Sequence, residues 1–155
     1  MEFRQRLVQF IGKLTLDRMG LRHSLNEHVV LLENSSESIA QRIAVIEDTH
    51  NNRVVLGHVI GIERWCQSRL KVALGEPLVM DDYDSYRPHH SQDITALRGA
   101  FQTTRTETIA LARKLAVAKI DPSVKIPHNM YGDLSVYGWL HYIRIHATME
   151  SKRVQ

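Results

Sequence analysis

His146 and Glu150 lie four residues apart, a spacing that stacks two side chains on one face of a helix. The segment from Ser135 to Glu150 is helical in period, and Val136, Trp139, Leu140 and Ile143 share that face with them. An apolar stripe turns toward a core, where an unpaired ion is costly. Both groups therefore need partners, and one divalent cation would satisfy imidazole and carboxylate together. Far upstream, His58 sits in a similar stripe with Val55, Val59, Ile62 and Trp65. Two helices could bring His58, His146 and Glu150 around one ion. Such a ligand set suits zinc, nickel, iron or manganese, and an open coordination position would make the site catalytic. The His-Glu-x-x-His pattern is absent, which argues against a zincin-type protease. The competing reading keeps both histidines as hydrogen-bonded core residues and leaves Glu150 in solvent near a fraying helix end.

The other histidines carry weaker signals. His128 precedes the final helix and could reach the mouth of a site, and His141 falls on another face, at an edge. His89 and His90 read as a solvated pair in a polar loop, and His50 could sit near the start of the helix that carries His58. His23 and His28 have no evident partners.

The elements that must position these groups are helices. Leu7, Phe10, Ile11 and Leu14, then Leu21, Leu25, Val29 and Leu32, repeat at helical spacing, with Gly12 and Gly20 interrupting them. Asn34-Ser35-Ser36 reads as a break, with Ser36 capping a short helix through Ile39, Ile43 and Ile46. Asp48 to Asn52 is a second break, and a helix then runs from about Arg53 to Leu74, closed by Gly75-Glu76-Pro77. A long polar and aromatic connection, Met80 to His90, follows, and connections of that length are often functional. Asp93 caps a third helix through Leu115, and Ser135 caps the last. Strand signals are scarce. The pattern predicts an all-α fold, a four-helix bundle with its long connection between helices 2 and 3, as one domain over residues 1–155.

Composition sets wide limits. The chain has 155 residues, enough for a real core, and 43% hydrophobic with 24% charged residues is ordinary for a globular protein. A net charge of +3 spread along the chain, without an aromatic-basic platform, argues against nucleic acid as a partner. The one cysteine, Cys66, excludes an internal disulfide and reads as a small core residue suited to a reducing cytoplasm. No signal peptide and no membrane span is expected.

The stretch Val54-Val55-Leu56-Gly57-His58-Val59-Ile60-Gly61-Ile62-Glu63, followed by Arg69-Leu70, resembles a helix of the DinB/YfiT-like superfamily. The loop Met80-Asp81-Asp82-Tyr83-Asp84 is similar to that family's connection, and Phe101 to Leu115 to its third helix. Tyr131-Gly132-Asp133-Leu134-Ser135-Val136 resembles its glycine-led entry to the final helix. The resemblance runs from about Ser35 onward. It implies a cytoplasmic metal-dependent enzyme that transfers a low-molecular-weight thiol such as bacillithiol or mycothiol to a small electrophile, or hydrolyses a small substrate, often as a homodimer. It also implies His58 and His146 as two of three histidine ligands, with Glu150 at the third place and Ala147 where an aspartate is usual. Tyr83, Tyr86 or His128 could help position a substrate, and Phe3, Leu7 and Phe10 would suit a dimer contact. The rival from another class is a non-catalytic bundle serving in binding or stress response, its metal site decayed.

Overall fold

The computed structural model describes residues 10–155 together with Leu7. Four long helices form a bundle: α1 (Leu25–Ala44), α2 (His50–Val72), α3 (Ile94–Val117) and α4 (Val136–Glu150). Each begins at a side-chain cap that satisfies an otherwise orphaned amide. Ser24 and Glu27 form a reciprocal capping box on α1, and Thr49, Asp93 and Ser135 accept from Asn52, Ala96 and Gly138. Past the end of α2, Gly75 takes φ of 99° and Pro77 follows, so the helix cannot continue.

Three parts of the chain depart from the sequence reading. The first is the expected break at Asp48 to Asn52, which ends early because Thr49 caps α2 and the helix starts at His50. The expected break at Asn34-Ser35-Ser36 is absent, and α1 runs through it. Ser35 Oγ donates to the Leu32 carbonyl and accepts from Arg105 Nη1 at 2.8 Å, so its hydroxyl is satisfied without leaving the helix. Between α3 and α4 an antiparallel hairpin forms from β1 (Lys125–His128) and β2 (Gly132–Ser135), with Ile126 opposite Leu134. The fold is thus a helical bundle with a small hairpin rather than purely helical.

An N-terminal helical stretch, with a π-helical turn at Lys13–Asp17 and a last turn at Arg18–Gly20, packs on α4. Asp17 fastens it there. Its buried carboxylate accepts from the Ser135 amide and hydroxyl, each at 2.7 Å, and pairs with Lys125. Leu7 and Phe10, expected as dimer contacts, are exposed, and Phe3 lies outside the described residues.

The apolar interior has two clusters. The larger, around Trp65, Trp139, Leu32, Leu70 and Leu140, lies at the hairpin end. The smaller, around Ile39, Ile60, Leu97 and Phe101, lies toward the other end. Among the helices between them is a buried polar group, in which Arg105 Nε and Nη2 meet the two Glu63 oxygens at 2.8 and 2.9 Å. Thr108 donates to Glu63 at 2.7 Å, and Gln67 donates to Thr108 and to the Thr104 carbonyl. Cys66 is buried as expected, and burial raises its thiol pKa well above the usual value. Among the described residues, no helix is long and apolar enough to cross a membrane.

Candidate functional site

α2 and α4 bring His58 and His146 together. Their ring centroids are 5.1 Å apart and their planes meet at 62°. Val136, Trp139, Leu140 and Ile143 are buried as the stripe predicts, but the stripe reaches the edge of the core by its last turn. His146 and Glu150 are therefore half-buried rather than enclosed. Burial in apolar surroundings pulls the His146 pKa down to about 4, the neighbouring His58 adds to the effect, and Glu150 opposes it. His58 is lowered by burial and then by Arg87, again against Glu150. Burial thus favours the neutral form of both rings, the form in which imidazole ligates or accepts a proton.

Glu150 is close enough to act on both histidines, yet its Oε2 accepts from Arg153 Nη1 at 2.6 Å. Arg87 Nη2 lies 3.3 Å from His58 Nδ1. A guanidinium only donates, so Nδ1 is the acceptor and the ring's proton sits on Nε2. Arg87 can approach this closely because residue 61 is glycine. A Cβ there would come within 2.7 Å of Arg87 Cγ. Glycine inside a helix costs about 1 kcal/mol relative to alanine, and here that cost makes room for Arg87.

His146, Glu150, Tyr142 and Tyr131 line one side of a largely apolar cavity of about 340 Å³. Ile11, Thr15 and Leu16 of the N-terminal stretch line the other. Tyr83 stands edge-on to His58 at 5.5 Å, so this tyrosine is part of the cluster. Tyr86 is turned away, its hydroxyl donating to Asp81 Oδ2 at 2.6 Å.

His128 does not reach the mouth. It is buried among Trp65, Trp139, Tyr131 and Tyr142, with ring centroids 4.7 to 5.1 Å away. Its Nδ1 accepts from the Met130 and Tyr131 amides, which closes the hairpin turn. Burial pulls its pKa down to about 4. His141 is buried rather than at an edge, because the N-terminal stretch and α1 cover that face of α4. His28 has a partner after all: its Nε2 donates to the Gly20 carbonyl at 2.8 Å. His89 and His90 are an exposed pair, 4.2 Å apart, as expected, and His50 opens α2.

Arg69 organises the neighbouring loops. Fully buried over Trp65, it donates to the Val79 and Asp81 carbonyls and to Asn129 Oδ1. The long connection after α2 and the hairpin turn are thereby held by one side chain. Arg87, in contact with His58, is the residue of the candidate site that sequence reasoning missed. The only hint was the pair of glycines, Gly57 and Gly61, flanking His58 at helical spacing.

Two imidazoles on one tetrahedral ion, with metal–nitrogen bonds of about 2.0–2.1 Å, hold their ring centroids roughly 5 Å apart, so the His58–His146 pair has the right separation. The third donor is less ready. Among the described residues no three His, Cys, Asp or Glu side chains are grouped as a formed metal site. Glu150 would have to leave Arg153, and Arg87 would have to release His58 for either nitrogen to offer a lone pair.

Compared with protein-family models, curated proteins and solved structures, the chain finds no match in any of the three.

Proposed function

We propose that the His58–His146 cleft is the reactive centre of a small-molecule enzyme of the DinB/YfiT-like type, dependent on a divalent transition metal. The observation that carries this reading is the close approach of two neutral, partly desolvated imidazoles from distant helices, with a carboxylate beside them. His58 and His146 would hold the ion, with Glu150 as the third ligand. A cation there would supply Lewis acidity, lowering the pKa of a thiol or water at the open position. The chain's own residues do the rest. Tyr142, Tyr131 and Leu16 exclude water and seat an apolar portion of the substrate. Tyr83 fixes the His58 ring from its edge. Transfer of a low-molecular-weight thiol such as bacillithiol or mycothiol to an electrophile fits this arrangement, and hydrolysis of a small substrate uses the same ligands. We further propose a cytoplasmic homodimer in which the exposed Leu7 and Phe10 contribute to the contact.

The test is a titration with zinc, nickel, iron(II) and manganese of wild-type protein and of His58→Ala, His146→Ala and Glu150→Ala. One ion per chain is expected, and each histidine variant should weaken binding by at least about tenfold. Binding undiminished in all three variants would reject the metal centre. Thiol-transfer assays with bacillithiol and mycothiol then separate transfer from hydrolysis.

A second reading is supported by the two contacts that compete with a metal, Arg87 on His58 and Arg153 on Glu150. In it the protein is a non-catalytic binding module that keeps the scaffold. Protein purified without added metal that holds none, and that takes up none on titration, would favour it.

A further inference from the structure

Beside His58 a second cleft is walled by basic groups. It is a cavity of about 150 Å³ between the first turns of α2 and residues 87–92, with His50, Arg53, Arg87, His89, His90 and Gln92 in its walls. No carboxylate lines it. Asp48 and Asp84 each stand 2.9 Å from an arginine Nε, of Arg53 and Arg87 respectively, but neither is part of the lining. Arg53 Nε pairs with Asp48 at 2.9 Å, and its two terminal nitrogens make no hydrogen bond among the described residues. The Gln92 amide oxygen is buried without a partner among the described residues. With that amide turned over, an NH₂ donor occupies the same place. Gly57 borders the cleft, and a Cβ at this position would meet nothing within 4 Å, so a larger side chain there can project into the space. The start of α2 adds the partial positive charge of a helix N-terminus to the same wall.

Guanidinium nitrogens left over beyond the Asp48 and Asp84 pairs, in a cleft whose lining holds no carboxylate, fit one class of ligand. We propose that this cleft binds a small oxyanion, the phosphate or carboxylate end of a substrate, through Arg53 and Arg87. Guanidinium groups match such oxygens better than any other side chain. Arg87 belongs to both clefts, since its Nη2 also rests on His58 Nδ1. An oxyanion that draws Arg87 toward itself frees the His58 lone pair, so binding the anionic end readies the imidazole at the reactive end. As a substrate anchor the cleft rests on the reading of His58 and His146 as a reactive site, whereas its affinity for oxyanions does not.

Calorimetric titration with inorganic phosphate and, separately, acetate, at constant chloride concentration, tests the proposal. At least one of the two is expected to bind saturably at one site per chain, and the tighter of them identifies the anionic group. Arg53→Gln removes a charge-assisted donor and Gly57→Leu fills the space. Each should weaken binding by roughly tenfold, with circular dichroism confirming the fold. His146→Ala should leave oxyanion binding intact while weakening metal binding by at least about tenfold, so failure of one site is distinguishable from failure of the other. Absence of saturable binding by both anions, or undiminished binding in either the Arg53 or the Gly57 variant, would overturn the proposal.

Discussion

Glu63 and His58 stand on the same helix, and their surroundings treat them in opposite ways. Glu63 is enclosed and answered on every side: both oxygens meet Arg105, Thr108 donates to one of them, and Gln67 extends the group to Thr104. His58 meets a single guanidinium at 3.3 Å and the rings of Tyr83 and His146, and His146 makes no side-chain hydrogen bond among the described residues. A buried polar group that is fully paired fixes helices against one another. One that is left short of partners retains the capacity to bind something else. The contrast, more than the presence of histidines, separates scaffold from site here.

The sharpest way to break this comparison is to strand a charge. Arg105→Met leaves Glu63 buried and unpaired, and should destabilise the fold by about 3–5 kcal/mol, measured by urea unfolding. Adding Glu63→Leu should recover much of that loss, since apolar residues can replace a buried pair. A small effect of Arg105→Met alone would mean that the polar group does not hold the bundle.

His146 should behave otherwise. Its removal strands no partner, so His146→Asn should change stability at neutral pH by less than about 1 kcal/mol. Its effect appears in acid. The ring titrates near the ordinary value of 6.5 in the unfolded chain and at about 4 when folded, so the unfolded state takes up protons first. Stability is therefore complete above about 6.5 and declines as pH falls toward about 4. His128 adds to the same decline. In His146→Asn the slope across this window should be shallower, and an unchanged slope would show that the imidazole is not desolvated.

The smallest expected effect lies at Arg87. Burial is the larger cause of the lowered His58 pKa, with Arg87 second. Arg87→Met should therefore raise the His58 value only part of the way toward normal. An NMR titration of the ring protons checks this, and no movement would place the guanidinium elsewhere in solution.

Much of the bundle was legible because helix ends are written locally. Asp93 and Ser135 cap where residue type says they should, and Gly75 with Pro77 ends α2. Among the several cap types from Asp48 to Asn52 it is Thr49 that caps, so α2 begins at His50 rather than near Arg53. What failed was long-range. Ser35 and Ser36 read as breakers until Arg105, seventy residues away, supplies a partner for the Ser35 hydroxyl. The hairpin has only four residues per strand, one of them Pro127, too few for an alternating pattern to stand out. Its backbone is secured by Trp139 Nε1 on the Ile126 carbonyl and by Asp17 on Ser135. At the site, the approach of His58 to His146 followed from stripe positions on two helices. The engagement of Glu150 with Arg153, and of His58 with Arg87, did not, because neither arginine belongs to a periodic pattern.

Arg69 has a mechanical consequence. Because its two terminal nitrogens grip both the backbone near residue 80 and the side chain of Asn129, the strap after the second long helix and the tip of the hairpin form one rigid rim. Asn129 closes the ring by donating to the Asp81 carbonyl as well. Lifting either strap or tip alone breaks Arg69 hydrogen bonds while the other segment stays held, so the two are coupled through one side chain.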